Sequence, residues 1–432
     1  MSPEVVGLIG IALLLLLLSM RMYIGLALIF VGFLGYSYLT KVSIGLELFG
    51  TVPYTTGSMY ELSIIPLFIL MGQFAHVSGL SRDIFNSVYK WIGHFPGGLA
   101  MATVVGCGGF AAISGSSTAT AATMGSIALP EMKGYKYDTR LATGCVAAGG
   151  TIGILIPPSI GFVVYGILTE ESIGKLFMAG IIPGVMLLLL YMAVIYIMCR
   201  IDPKLGPKGE KPPFIERIKA LKNTWETVLL FLVVMGGIYL GIFTPIEAAG
   251  IGAFGTFLFA LLKRKMNIPI LFECLLATGR LSGMIMLIMI GADIYAYFLS
   301  ISKIPMSLAE LMTYFVVSKY LVLAGILLIY CILGCFLDAI AMIVLTIPIF
   351  YPLTQSLGLN PIWLGVIIVI IMEIGLITPP VGMNVFVIRG IAKDVSITTI
   401  FRGIWPFLVA SIFAIIIIIL IPPLATFIPS RM

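Results

Sequence analysis

The chain has 432 residues, 60% hydrophobic and 10% charged, with a mean hydropathy of +1.15. Soluble globular chains carry roughly 45–50% apolar and about 25% charged residues, so the composition excludes a water-soluble enzyme, a disordered chain and a secreted disulfide scaffold. Lipid is the solvent that suits such a surface. The formal charge of +6 comes from basic clusters beside apolar runs and does not point to nucleic acid.

In chain order, apolar runs lie at 5–20, 22–40, 61–78, 97–114, 140–168, 176–199, 226–243, 246–262, 280–300, 319–350, 361–388 and 404–428. They predict an all-α polytopic membrane protein of about 10–12 spans. The first run follows a single charge, Glu4, and no small-residue cleavage motif ends it. A retained helix is therefore expected there, not a signal peptide. Segments 79–94 and 265–280 read as amphipathic helices at the membrane interface, with Arg82, Asp83 and Lys90 toward headgroups and Ile84, Phe85 and Val88 inward. The polar connector 200–225 holds seven of the 25 basic residues and is assigned to the cytoplasmic side. Arg21 and Lys263–Lys265 fall on that side by the same rule. This places the amino terminus outside and gives the two halves opposite orientations. The six cysteines are scattered and read as small core residues.

The halves resemble each other. Gly153-Ile-Leu-Ile-Pro157-Pro158 recurs 222 residues later as Gly375-Leu-Ile-Thr-Pro379-Pro380. Gly180-Ile-Ile-Pro183 recurs as Gly403-Ile-Trp-Pro406, Leu48-Phe49 as Leu271-Phe272 and Lys41 as Arg264, each 223 residues on. A constant offset along the chain predicts an internal duplication. With opposite orientations, it is an inverted repeat of the kind secondary transporters use.

Both Pro-Pro pairs interrupt long apolar runs. Proline in a helix removes a donor and clashes with the preceding turn, and unpaired backbone groups in hydrocarbon cost several kcal/mol each. A break there survives only if protein, water, an ion or substrate satisfies it. Ahead of the first break, Ser114-Gly-Ser116-Ser117-Thr118-Ala-Thr120-Ala-Ala-Thr123 is too polar for a lipid-facing helix. A loop, a small-residue helix interface and a re-entrant hairpin are all open to it, and the hairpin fits best. Its counterpart is Gly334-Cys-Phe-Leu-Asp338-Ala-Ile-Ala. Asp338 is costly in an apolar stretch and is either functional or a buried helix cap. Ser116, Ser117, Thr151, Asp338 and Thr378, with the carbonyls freed at the breaks, offer hard oxygen ligands for a small cation, whereas zinc and copper want sulfur or imidazole. Half-helix amino ends would face an anionic substrate. Glu61, Gln73, Glu247, Asp293 and Glu373 lie in or beside spans, Glu373 being the strongest functional candidate among them. His76 and His94 read as interfacial. Arg389 follows the second break and suits either a carboxylate or a headgroup.

With Gly149-Gly-Thr-Ile-Gly-Ile-Leu-Ile-Pro-Pro-Ser159, the Ser114–Thr123 run, Gly375-Leu-Ile-Thr-Pro-Pro-Val-Gly382 and the Phe95-Pro-Gly-Gly98 turn, the chain resembles the large membrane subunit of tripartite ATP-independent periplasmic (TRAP) transporters. The resemblance runs from about residue 5 to 428. It implies an elevator-type fold with two re-entrant hairpins and an inverted repeat, in a bacterial or archaeal cytoplasmic (inner) membrane. It implies scaffold helices at 1–56 and 226–264, a cytoplasmic connector at 201–225, and arm and transport elements at 57–200 and 265–432. Hairpins would lie around 97–131 and 319–352, broken helices around 140–168 and 361–390, and the arms at 79–94 and 265–280. It implies a coupling Na+ at Ser116, Ser117, Thr151, Ile152 and Gly153, and another at Asp338, Ala339, Thr378 and Pro379. The organic-acid substrate would meet Ser114, Thr118, Pro157, Pro158, Ser159, Pro380, Gly382 and Asn384. The expected partners are a separate small four-helix membrane subunit, since no further spans precede residue 5, and an extracytoplasmic substrate-binding protein. The alternative is a stand-alone sodium/dicarboxylate transporter that needs no binding protein. An intramembrane enzyme is not expected, because the chain carries no His-Glu-x-x-His, Gly-x-Gly-Asp or Walker A motif.

Overall fold

In the computed structural model, residues 1–307, 310 and 318–432 are described. Among them, every regular element is a helix. The first half contains α1 (Pro3–Ser19), α2 (Ile24–Leu39), α3 (Val42–Gly57), α4 (Ile64–Ser78), α5 (Leu80–Ile92), α6 (Gly98–Ser114), α7 (Ser117–Gly134), α8 (Thr139–Leu155), α9 (Ile160–Thr169) and α10 (Ile173–Ile201). The second half contains α11 (Phe214–Lys222), α12 (Trp225–Tyr239), α13 (Pro245–Leu262), α14 (Ile268–Ile301), α15 (Lys319–Gly334), α16 (Ala339–Ser356), α17 (Pro361–Gly375), α18 (Met383–Ile391) and α19 (Ile397–Leu420). Starts are marked by small polar caps. Ser116, Asp138, Ser159, Ser172, Asn267, Asn360 and Ser396 each accept a backbone N–H of the first turn.

The duplication is visible element by element. At the offset read from the sequence, α1 matches α12, α2 matches α13, and α6 to α10 match α15 to α19. The pattern differs at one place. Repeat 1 stops at Gly57, makes a single 3₁₀ turn at Tyr60–Ser63 and restarts as α4, whereas repeat 2 runs unbroken for 34 residues as α14. Pro53 and Pro66 flank the interruption in repeat 1. The corresponding stretch Leu275–Met289 has no proline, so nothing stops the helix. The separate interfacial helix expected over 265–280 is therefore not present, because Asn267 caps a helix that continues to Ile301. By the same offset the partner of α5 falls at 302–315, half of which lies outside the described residues.

Among the described residues, seven helices are long and apolar enough to cross a membrane, and eight if α11 and α12, bent by 49°, form one span. Counting apolar runs gave about 10–12 spans because runs also appear in shorter helices of 10–17 residues, among them α6, α15 and α17. These are arms of hairpins and halves of broken helices. The connector is partly built in. Gly97 and Asp138 N–H groups donate to the carbonyls of Gly206 and Leu205, and Gly209 N–H donates to Gly93 O. Residues 205–209 thereby clamp the base of the α6–α7 hairpin. Lys263, at the end of α13, ion-pairs with Asp83 of α5 at 2.7 Å and with Glu226 of α12 at 2.5 Å, tying three elements together.

Candidate functional site

The α6–α7 hairpin turns because Gly115 adopts a left-handed conformation (φ +60°). A Cβ there would lie 2.7 Å from Pro158 O, so glycine answers both the turn and the close approach. Ser116 then caps α7 by accepting Ala119 N–H. The hairpin tip thus rests on the first Pro-Pro break, and Ile160 N–H donates to Gly115 O. In repeat 2, Asp338 occupies the cap position before α16, and Cys335 Sγ lies 3.1 Å from Pro379 O. Each hairpin also leans on its broken helix through a glycine. A Cβ at Gly153 would meet Ser116 O at 2.7 Å, and one at Gly375 would meet Gly334 Cα at 2.5 Å.

The two tips open into one cavity of about 650 Å³. Ser114, Ser116, Ser117 and Thr118 line it from the first hairpin, and Asp338 and Ala339 from the second. Ile154, Ile160, Leu376 and Met383 line it from the flanks of the two breaks. The opposite wall is the α1–α2 turn from Arg21 to Gly25, with Gln73 and His76 of α4 and part of α14. His76 Nδ1 shares a 3.1 Å hydrogen bond with Thr123 of α7. The first residues of α7 and α16 line this space, and helix amino ends suit an anion.

The other proposed site residues are placed differently. Thr151, Ile152, Gly153, Pro157, Pro158 and Ser159 are all buried, Thr151 donating to Ala148 O at 2.6 Å and pairing with Tyr191 at 3.2 Å. Ser159 is occupied in capping α9 through Phe162 N–H. Thr378 donates to Ile374 O at 2.6 Å. Pro379 and Pro380 are exposed, while Gly382 and Asn384 are buried, the latter donating to Ala147 O. The pieces that converge are therefore the hairpin tips and the residues flanking the breaks, not the prolines themselves. Arg389 is spent on the carbonyls of Ala392 and Lys393. Arg21, Gln73 and His76 carried no motif. Their only signal was polarity beside apolar runs, which cannot say which wall they join.

A membrane protein made of paired hairpins and interrupted helices around one cavity has the build of a secondary transporter. The family model of the tripartite ATP-independent periplasmic transporter, DctM component, matches residues 11–424, and the chain belongs to that family. It is 39% identical to the C4-dicarboxylate TRAP transporter large permease protein DctM of Pseudomonas aeruginosa, covering 87% of this chain and 88% of that one. It is 31% identical to the 2,3-diketo-L-gulonate large permease YiaN of Escherichia coli, covering 84% and 85%. It is 29% identical to the sialic acid large permease SiaM of Vibrio cholerae, covering 96% of each. These relatives are named as permeases, in keeping with a transporter and not an enzyme. The Alcanivorax borkumensis YdaH transporter, solved as a crystal structure with an unusual topology, shares the fold at a TM-score of 0.62 and 16% identity, over 88% of this chain and 90% of that one.

Proposed function

We propose that the chain is the large subunit of a sodium-coupled importer of an organic acid in the inner membrane, working with a separate small four-helix subunit and an extracytoplasmic binding protein. The observation that carries this is the shared cavity. Two hairpin tips bring hydroxyls (Ser116, Ser117), a carboxylate (Asp338) and two helix amino ends to one space, with Arg21 on the facing wall. Hydroxyl, carbonyl and carboxylate oxygens suit a hard cation, and helix amino ends with an arginine suit a carboxylate. The relatives named for C4-dicarboxylate, 2,3-diketo-L-gulonate and sialic acid all carry that group. Alternating access follows as an elevator: α6–α9 and α15–α18 move as a body against α1–α4 and α12–α14, and the cavity lies on the seam. With no Walker A loop in the sequence, the energy comes from ions, each monovalent cation crossing 100 mV supplying about 2.3 kcal/mol. The test is uptake into proteoliposomes under an inward sodium gradient, with the two partners present or omitted. Carboxylate uptake that needs all three components supports the proposal. Equal uptake by the chain alone would favour the stand-alone transporter.

A further inference from the structure

Glu373 stands apart from every other charge in the protein. It is 2% exposed, and the only other buried charged side chain among the described residues, Glu226, is paired with Lys263. No described lysine, arginine or histidine bonds Glu373. Its Oε1 accepts the hydroxyl of Ser117 at 2.6 Å, and its Oε2 is buried without a partner. A buried carboxylate with no counter-charge costs several kcal/mol, so it must be neutral or meet a cation that is not part of the chain.

Two observations favour the cation. A hydroxyl has one proton and two lone pairs. Ser117 spends its proton on Glu373, which leaves its lone pairs free at the hairpin tip. The second observation is the repeat. Asp338 and Glu373 stand 222 residues after Ser116 and Thr151, so repeat 2 holds carboxylates at the two positions where repeat 1 holds hydroxyls. Asp338 stays at its own hairpin tip, whereas Glu373, on α17, reaches across to the tip of the other repeat. The crossing hands one negative charge to each tip.

We infer that Glu373 supplies the charge of the cation site at the first hairpin tip, with Oε2 as a further oxygen ligand of the coupling cation. This rests on the reading that sodium binds at Ser116–Ser117.

The test is a sodium titration of the purified full chain in detergent micelles, with choline keeping ionic strength constant. It is read by thermal melting and by radioactive sodium bound per chain. Glu373→Gln is expected to raise the half-saturating sodium concentration at least about tenfold, the scale on which losing one partner of a buried charge pair acts, and to lower the bound sodium by one ion. Glu373→Asp, which keeps the charge but shortens its reach, should fall between, and it decides the matter if Glu373→Gln does not fold. An unchanged midpoint and stoichiometry in Glu373→Gln, or an unchanged midpoint in Glu373→Asp, overturns the role of Glu373. Loss of sodium response in Ser117→Ala alongside either result would leave the hairpin site standing. Wild-type behaviour in both Ser116→Ala and Ser117→Ala, or a wild-type chain indifferent to sodium, would instead remove the hairpin site and this inference with it.

Discussion

Repeat 1 covers its broken helix, and repeat 2 leaves its own uncovered. Pro157 and Pro158 are buried under the hairpin tip at Gly115 and under α10, where a Cβ at Gly180 would sit 2.5 Å from Leu155 O. The matching helix α19 leans instead on α8, with Gly403 against the backbone of Arg140, and on the far part of α10, with Phe407 against Tyr191. Pro379 and Pro380 consequently remain exposed. The same motif thus has two environments, set by which neighbour the following helix chooses. The chemistry differs in parallel, since repeat 1 offers the hydroxyls of Ser116 and Ser117 at its tip and repeat 2 the carboxylate of Asp338. Duplication supplied matched frames, and substitution placed hydroxyls at one tip and a carboxylate at the other, in a single cavity.

The comparison breaks first at the charge. Asp338→Asn is expected to slow sodium-driven uptake at least about tenfold, as removal of the charge from the proposed cation site should. Full transport at saturating sodium would make Asp338 a structural cap. Next come the glycines that seat each hairpin. Gly153→Ala and Gly375→Ala each force a backbone shift, expected to cost about 1–3 kcal/mol, and a melting temperature unchanged in either variant would show that its hairpin is not wedged. The hydroxyls follow. Ser117→Ala and Thr378→Val should raise the sodium needed for half-maximal uptake by a few-fold, on the scale of about 1 kcal/mol for a lost hydroxyl, without preventing insertion. Sodium activation curves in vesicles that match wild type would remove those residues from the cation sites.

The smallest effect tests the ties to the scaffold. Burial pulls the Lys263 ammonium down, but hydrogen bonds to Asp83 and Glu226 outweigh it, so its pKa stands above the usual lysine value. A raised pKa means the contribution is fully present below the unfolded-state value of about 10.4 and is lost as pH rises through the folded one. Lys263→Met should therefore lower thermal stability at pH 7 and flatten its loss above about pH 10.4. An alkaline melting profile identical to wild type would show that the triad contributes nothing.

Much of the architecture was legible in the residues. Apolar runs marked the helices because lipid tolerates little else, and the constant offset between Pro-Pro motifs exposed the duplication because both copies keep the same breakers. Ser116, Ser117 and Asp338 were legible because polarity in an apolar stretch is costly and so marks itself. The fusion of 265–280 into one long helix was not legible, because lack of a breaker is a weak local signal beside a patch of mixed polarity. Nor was the joining of Gln73, His76 and Arg21 to the far wall, which depends on how α4 and the α1–α2 turn pack.

Composition and spacing alone determined that this is a membrane protein of two matched halves with interrupted helices, because solvent preference and backbone geometry are local properties. Only the tertiary structure decided that the two hairpin tips share one cavity, that one Pro-Pro break is covered and the other is not, and that Glu373 bonds a serine in the opposite repeat. Those facts depend on which surfaces meet across more than two hundred residues, and pairwise packing of that kind leaves no trace in local pattern.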